Sequence, residues 1–515
     1  MVKDNSQLTV EGNNKRIAKN TFLLYLRMLL LMGVSLYTSR VILQVLGVED
    51  FGIYNVVGGI VTMFSFINGG MVSATQRFIT YELGTGNDKR LCSVFSTALQ
   101  IHALISFIII ILAESIGLWF FYQKMIIPES RFVAAMWVYQ CSVISCVVSI
   151  MSIPYTADIV AHEKMSAFAY ISIIEALLKL GIVYFLSVFP YDKLIIYSIL
   201  LLLVQVSIRF VYSRFCRRHF SESVYKKHFN RTLFIEMVTF AGWSFWGNLA
   251  SVLYTQGLNM MLNVFFGPIV NASRGIAVQV QGAVQQFVGN FQMALNPQIT
   301  KNYAVGDLEQ MHSLMFRSAR FSFFLLFFLT LPILIDTNFV LTIWLKNVPN
   351  DTVIFTQLMI AISLIYTIAN PCVVANQATG KVKVYQAVVG GILLLILPIS
   401  YVVLKLGAPA YAVFIVHFLV ECIAQLARMI MLRKLINLPL LTYLKNIYIP
   451  VVCVVFFASL LPIYVNSMFD EGWHRFIIVG FTCVLSVSFT VFTLGFTTSE
   501  RSFFINKVKS VLKIN

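Results

Sequence analysis

Arginines within apolar segments are the residues of this sequence whose type and position point most directly to chemistry. Arg27 and Arg40 lie in the first apolar run, and Arg274 lies near the start of a later one. A charge at the bilayer centre costs ~2.5–3.5 kcal/mol on insertion scales, so such residues indicate functional sites. A guanidinium stays charged. The three arginines are therefore candidate cations of a polar cavity. Alternatively, Arg27 and Arg40, about 140° apart on a helix, snorkel to headgroups.

Polar side chains form stripes along two consecutive apolar segments, 236–266 and 268–297. At 100° per residue the stripe covers an arc of about 120° on the first segment and about 80° on the second. Such a stripe faces a water-filled cavity or a partner helix rather than lipid. Two consecutive striped helices predict one wall of a cavity; the alternative is interhelical hydrogen bonding at ~0.6 kcal/mol per contact. The residues assigned to substrate are Asn248, Gln281, Gln285 and Gln292.

Two pairs of charged residues inside apolar segments are candidates for ion coupling. Glu175 and Lys179 are one helical turn apart, and Glu421 shares a face with Arg428. Either pair also fits a structural role, as a neutralising ion pair or a polar network. The eight cysteines are scattered and form no CxxC motif, so the sequence predicts no disulfide framework, no metal site and no cofactor.

The elements that position these residues are membrane-spanning helices. Of the 515 residues, 58% are hydrophobic and only 12% are charged, against about 25% charged residues in soluble domains. Apolar runs of 18 or more residues recur along the chain, each long enough to cross a bilayer. The sequence predicts an all-α polytopic protein with about fourteen spans, near 20–46, 51–77, 92–121, 132–157, 166–189, 193–215, 236–266, 268–297, 317–344, 351–380, 384–405, 408–432, 446–466 and 473–497.

The distribution of basic residues orients the spans. With the N-terminus inside, the outer connectors hold only six of the 38 Lys and Arg residues, and the positive-inside rule then places both termini in the cytoplasm. The net charge of +16 has the same origin, so it predicts no nucleic-acid partner. The six outer residues are Lys124, Arg131, Lys193, Lys346, Lys405 and Arg475.

An internal repeat relates two halves of the chain. In a 25-residue window, six residues recur 220 positions later, for example Gly86 at Gly306 and Thr80 at Thr300. Six spans per repeat is an even number, so the two lobes are parallel, an arrangement in which transporters bind substrate between repeats. We predict a six-helix lobe over 1–220, a second over 221–440, and two further helices with a cytoplasmic tail over 441–515.

The stretch SRVILQVLGVEDFGIYNVV resembles the junction of helices 1 and 2 in polysaccharide flippases of the Wzx type. These flippases belong to the superfamily that also contains the multidrug and toxin extrusion (MATE) transporters. Two further patches, ANQATGKVKV (375–384) and LGAPAYAV (406–413), are similar to the same family, as is the count of six, six and two helices. The motif positions at the junction are Arg40, Leu46, Gly47, Asp50, Phe51, Gly52 and Tyr54.

The resemblance implies a flippase in the bacterial inner membrane that carries an undecaprenyl-diphosphate-linked oligosaccharide for O-antigen or capsule synthesis. Its partners would be this lipid-linked substrate, membrane lipids and possible polysaccharide polymerase machinery. The alternative is a MATE-like, cation-coupled multidrug exporter, which requires a membrane-buried carboxylate that the first and seventh spans lack. An enzyme is disfavoured, because short connectors leave no room for a soluble catalytic domain.

Overall fold

The computed structural model describes residues 20–34, 37, 38, 41, 42, 45, 46, 50, 53, 54, 57, 66–124, 127–188, 191–226, 229–266, 268–345, 348–502, 505 and 506. Within these residues the regular secondary structure is helical and no strand occurs. Arg40, together with Gly47, Phe51 and Gly52 of the junction motif, lies outside the described residues.

Helices occur at all fourteen predicted spans, and we number them α1–α14 accordingly. Short π-helical or 3₁₀ turns interrupt or extend several of them, for example at Ala113–Gly117 and Ser221–Ser223. The described bounds are Asn20–Val34 (α1), Phe66–Thr85 (α2), Asp88–Leu112 (α3), Phe132–Ile150 with Ile153–Ala161 (α4), Met165–Val188 (α5), Lys193–His219 (α6), Arg231–Phe266 (α7), Pro268–Ala304 (α8), Leu308–Ile335 (α9), Thr352–Thr379 (α10), Val382–Leu394 with Ile396–Lys405 (α11), Ala412–Ile436 (α12), Ile449–Met468 (α13) and Trp473–Thr490 (α14).

The helices confirm the predicted class, an all-α multi-pass membrane protein. Among the described residues, ten helical stretches are long and apolar enough to cross a membrane. The striped helix α8 is not one of them, because its amides lower its mean hydropathy. A helix satisfies all its backbone hydrogen bonds internally, which is what a lipid environment demands.

The repeat is visible in the turn that precedes α3 and again in the turn that precedes α9. Gly86 and Gly306 both adopt left-handed backbone, with φ of 69° and 79°, a region that glycine enters at no steric cost. Asn87 then caps α3 by accepting from the backbone N–H of Arg90, and Asp307 caps α9 in the same way. The two turns lie 220 residues apart, the shift that the sequence predicts.

One predicted helix boundary is wrong. Pro297 was expected to end the eighth span, but α8 continues through it to Ala304. Proline removes one backbone donor, and membrane helices tolerate this where neighbouring groups take up the freed carbonyl. The extension includes Lys301, which pairs with Glu163 in the connector after α4.

Packing divides the chain into two compact units. Unit 1 comprises Met1–Leu249 and Thr300–Gly306, and unit 2 comprises Ala250–Ile299 and Asp307–Asn515. The core of unit 1 includes the fully buried Tyr139, whose hydroxyl donates to the Ala113 carbonyl at 2.7 Å. The core of unit 2 includes the ring pair Phe355 and Phe414, with centroids 4.6 Å apart. The lobe boundaries at 220 and 440 follow the sequence repeat and stay a prediction.

Candidate functional site

A cavity in unit 1 lies between α1 and α5 and has a volume of about 360 Å³. Its residues recur at helical spacing, three or four positions apart on each helix, so each helix presents one face to it. The lining residues are Arg27, Leu31, Val34 and Thr38 from the first span and Ser172, Glu175, Ala176 and Lys179 from α5.

Arg27 is the cation that α1 contributes to this cavity. Its guanidinium carbon lies 4.5 Å from the centroid of the Phe168 ring, a cation–π contact that holds the side chain in place. Its Nε is buried and has no hydrogen-bond partner. No carboxylate among the described residues forms an ion pair with it. Arg27 therefore has no direct ion-pair partner among the described residues, and Glu175 attracts it only through space.

The opposite wall carries an ion pair that cancels its own charge. Lys179 Nζ donates to Glu175 Oε1 at 2.6 Å, one turn along α5. A role of this pair in ion coupling stays a prediction. The pair shares a cavity with Arg27, although the sequence predicts ion coupling for the pair and substrate binding for Arg27. Counted together, the cavity walls carry a net charge of one positive unit.

Arg274 in unit 2 is held by neutral groups. Its Nη1 donates to Asn259 Oδ1 at 3.1 Å and its Nη2 to the Thr255 carbonyl at 2.8 Å. The side chain is buried, its Nε has no hydrogen-bond partner, and within the described part of unit 2 no carboxylate pairs with it. Asn259 and Thr255 belong to the polar stripe of α7, and Arg274 belongs to that of α8. The two stripes therefore contact each other at these hydrogen bonds.

Three amides of the α8 stripe contact neighbouring helices of unit 2. Gln281 and Gln285 both donate to Ser363 Oγ of α10, at 3.0 and 3.1 Å. Gln292 donates at 3.1 Å to Ser322 Oγ and at 3.1 Å to the Thr367 carbonyl. These contacts are the interhelical hydrogen bonds that the sequence analysis weighed as the alternative. A role of the three amides in substrate binding stays a prediction.

The remaining predicted residues fall into different surroundings. Asn248 is exposed on α7, near the end of the part that belongs to unit 1. In unit 2, Arg428 Nη1 donates to Glu421 Oε1 at 2.7 Å, and both side chains are buried within α12. The pair sits beside Gln425, whose amide contacts the Tyr443 hydroxyl at 3.4 Å. This arrangement matches a buried polar network, and ion coupling through it is untested.

The acidic residue of the junction motif has a partner that sequence reasoning missed. Arg131 bridges Asp50 and Asp192, donating from Nε to Asp50 Oδ1 at 2.7 Å and from Nη1 to Asp192 Oδ2 at 2.6 Å. Asp192 also caps α6 by accepting from the Leu194 and Ile195 N–H groups. The sequence places all three charged residues in predicted outer connectors. It does not predict that they pair, because they lie 61 and 81 residues apart along the chain.

Comparison with solved structures identifies the fold. The chain is similar to a multidrug resistance MATE family transporter of the MOP superfamily in an outward-facing conformation, with a TM-score of 0.69 and 13% identity over 82% of this chain and 96% of that one. MATE in a bent conformation gives 0.69 and 12% over 84% and 97%. A MOP superfamily transporter from Pyrococcus furiosus, for which a reverse polarity of the binding pocket suggests a different function, gives 0.65 and 12% over 82% and 96%.

At these identities the likeness concerns the fold, which is that of MATE transporters. No protein-family profile and no curated protein matches the sequence.

Proposed function

We propose that this chain is a flippase that moves an undecaprenyl-diphosphate-linked oligosaccharide from the cytoplasmic to the outer leaflet of a bacterial inner membrane. The observation that carries the proposal is the cavity of unit 1. Arg27 has no carboxylate partner there among the described residues, while Glu175 is already neutralised by Lys179. A cavity of net positive charge in a membrane calls for an anionic cargo.

The diphosphate is the part of this cargo that the arginines bind. An arginine presents several donors in a fixed fork and bonds to two phosphate oxygens at once. Arg27 forms the first station, near the cytoplasmic end of the first span. Arg40, further along the same span, and Arg274 in unit 2 form stations toward the outer leaflet. The polyprenyl tail stays in the bilayer while the head group moves.

The oligosaccharide is bound by amides in this proposal. Asn248 is exposed on α7 and offers both a donor and an acceptor to sugar hydroxyls. The Nε2 atoms of three further amides already donate hydrogen bonds to α9 and α10, so in this proposal only their amide oxygens bind the sugar. These residues are Gln281, Gln285 and Gln292. A polymerase that joins the exported units is the expected downstream partner.

The runner-up is a cation-coupled multidrug exporter, and the observation that favours it is the fold shared with MATE transporters. Pocket polarity separates the two candidates. An exporter of cationic drugs needs a membrane carboxylate that is free to bind cation or proton. The two carboxylates considered for coupling, Glu175 and Glu421, each have a basic partner within 2.7 Å. At these two pairs the polarity favours the anionic cargo.

Complementation of a flippase-deficient strain of the native host tests the proposal. Surface glycan is measured for Arg27→Lys and Arg27→Gln at matched membrane levels, with the exposed Arg433→Gln as the control. We expect partial activity for lysine, which keeps the charge and loses the fork, and little for glutamine. Full restoration of the glycan by Arg27→Gln contradicts the proposal. Drug resistance conferred on an efflux-deficient strain, without glycan export, identifies the exporter instead.

A further inference from the structure

A second cluster of charged side chains lies in unit 1, away from the Arg27 cavity. Asp158 is in the second segment of α4, His162 directly follows that segment, and Glu222 is in the 3₁₀ turn after α6. His162 Nε2 lies 2.5 Å from Glu222 Oε1 and 3.7 Å from Asp158 Oδ1. One ligand atom from each residue lies within 4.8 Å of the other two. Three groups that commonly bind metals therefore converge on one point.

The cluster is buried, and one of its atoms is unsatisfied. Asp158 is 0% exposed, and its Oδ1 has no hydrogen-bond partner. The other oxygen of the same carboxylate accepts from Ser223 Oγ at 2.5 Å, which turns Oδ1 toward His162. An acceptor left bare in a buried site is costly. A proton on His162 serves Glu222 but does not reach Asp158, whereas a cation between the three atoms satisfies all of them.

The imidazole is held in the orientation that this site needs. Its ring stacks on Phe220 with centroids 4.0 Å apart and planes 6° apart. The stacking fixes the plane of the ring, and the contact with Glu222 Oε1 directs Nε2 toward the two carboxylates. The side chain of His162 is 24% exposed, so the cluster has a path to solvent. By the charge rule that orients the spans, the connectors after α4 and α6 face the cytoplasm.

We infer that Asp158, His162 and Glu222 form a binding site for a divalent transition-metal ion of the Zn²⁺ class. One imidazole nitrogen and two carboxylate oxygens are ligands that Zn²⁺ accepts, at distances of ~2.0–2.2 Å. A tetrahedral ion with such bonds keeps its ligands roughly 3.3 Å apart, a distance between the 2.5 Å and 3.7 Å separations in the cluster. The hydrogen bond between His162 and Glu222 must therefore open by about 0.8 Å when the ion binds. Water from the exposed side of His162 supplies the fourth ligand. The bound ion ties the connector after α4 to the connector after α6.

The fold does not require these ligands. The connector after α10, in the second repeat, makes the same turn as the connector after α4. Gly380 adopts left-handed backbone there, as Glu163 does in the first repeat, and a lysine follows each of them. In that alignment Ala375 and Thr379 stand where the first repeat has Asp158 and His162. The turn forms without metal-binding side chains, so their presence in the first repeat points to a separate use.

Metal content of the full-length protein tests the site. Tag-free protein in nanodiscs is stripped with a chelator, re-equilibrated with Zn²⁺ and analysed by mass spectrometry of the metal. We expect about one Zn²⁺ per chain in the wild type and at least a tenfold loss of affinity in Asp158→Asn and His162→Asn. Zn²⁺ is also expected to raise the midpoint of thermal unfolding by roughly 5 °C in the wild type alone. His219→Asn, which changes an exposed histidine at the end of α6, is the matched control.

Equal Zn²⁺ uptake by the wild type and His162→Asn, or no uptake by the wild type, overturns the inference. Co²⁺ substitution of the wild type decides the matter if the variants fail to fold. A visible absorption band of tetrahedral intensity, without thiolate charge transfer, supports the site. Absence of that band, or a band with the thiolate signature of the free cysteines, refutes it.

Discussion

Glu175 accepts a hydrogen bond from Lys179 at 2.6 Å, and both residues line the cavity into which Arg27 projects. This ion pair determines the sign of the net charge of the cavity lining. The ammonium and the carboxylate cancel, and the charge of Arg27 is left over. Because the lysine is part of the wall, the net charge can be changed without touching Arg27 itself.

Lys179→Met is therefore expected to abolish most transport. It exposes the Glu175 carboxylate, which then neutralises Arg27 and repels a diphosphate. The double variant Glu175→Gln, Lys179→Met restores the net charge and is expected to recover a substantial part of the activity. Glycan export at matched protein level measures both. Equal activity in the single and the double variant would falsify this charge balance.

Two substitutions of Arg274 in unit 2 distinguish the effect of its charge from the effect of its two-donor geometry. Arg274→Lys keeps the charge but loses the two-donor contact with Asn259 and Thr255, so part of the transport remains. Arg274→Gln removes the charge as well, and we expect little transport. Both leave buried acceptors short of a donor, at a cost of about 1–3 kcal/mol in the free energy of unfolding. Chromatographic homogeneity is checked first, and wild-type export by Arg274→Gln would contradict a substrate role.

The bridge from Arg131 to Asp50 and Asp192 in unit 1 predicts a pH dependence. Burial raises the pKa of Asp192, but the hydrogen bond from Arg131 and two backbone N–H groups outweigh it and leave the pKa below its usual value. A lowered pKa stabilises the folded state above the unfolded-state value of ~3.9, and the stabilisation is lost as pH falls through the folded pKa. Thermal unfolding between pH 7 and 3 measures this contribution.

Asp192→Asn is the matched variant, since asparagine still caps α6. We expect it to unfold at a lower temperature than the wild type at pH 7 and to show a smaller decline in acid. Identical pH profiles for the two proteins would show that the Arg131 bridge contributes nothing.

Lys301 and Glu163 form an ion pair within unit 1, with Nζ 2.8 Å from Oε1. The Glu163 side chain is 1% exposed and that of Lys301 is 26% exposed. Lys301→Ala leaves a buried carboxylate without its ammonium partner. We expect a loss of about 1–3 kcal/mol, less than the ~3–5 kcal/mol of a fully buried pair because solvent reaches the lysine.

Glu163→Gly is expected to cost less than Lys301→Ala. It removes the carboxylate together with the strain of a non-glycine residue at φ 58°, which is worth roughly 1–2 kcal/mol. Chemical denaturation of the two variants in the same detergent compares them. A larger loss for Glu163→Gly would mean that other contacts of the glutamate, and not the ion pair, stabilise the connector.

The positions of the helices and of their polar faces were predictable from periodicity. The arc calculated for α8 holds, because Gln281 and Gln285 reach the same Ser363 hydroxyl. The identity of the partner helix was not predictable. Ser363 lies on α10, about eighty residues away, and nothing in the spacing of a single helix specifies its neighbour. The continuation of α8 past Pro297 was missed for a similar reason, since local propensity gave way to tertiary context.

The candidate site shows the same limit. Arg27, Glu175 and Lys179 were each singled out as charges in apolar segments, but their shared cavity depends on α1 packing against α5. Asp158 and His162 have a spacing of four, which places them on one face of a helix. Glu222, the third member of that cluster, is brought in by the turn after α6, so only the folded chain shows that the three residues meet.

Binding of undecaprenyl diphosphate to the purified protein tests the central claim most directly. The wild type in detergent is titrated with the diphosphate lipid and, in parallel, with undecaprenol, which has the same tail and no charge. We predict saturable binding of the diphosphate, at least tenfold weaker in Arg27→Gln and unchanged in Arg433→Gln, and no comparable binding of the alcohol. Equal affinity of the wild type for both lipids, or of Arg27→Gln and the wild type for the diphosphate, would contradict the account.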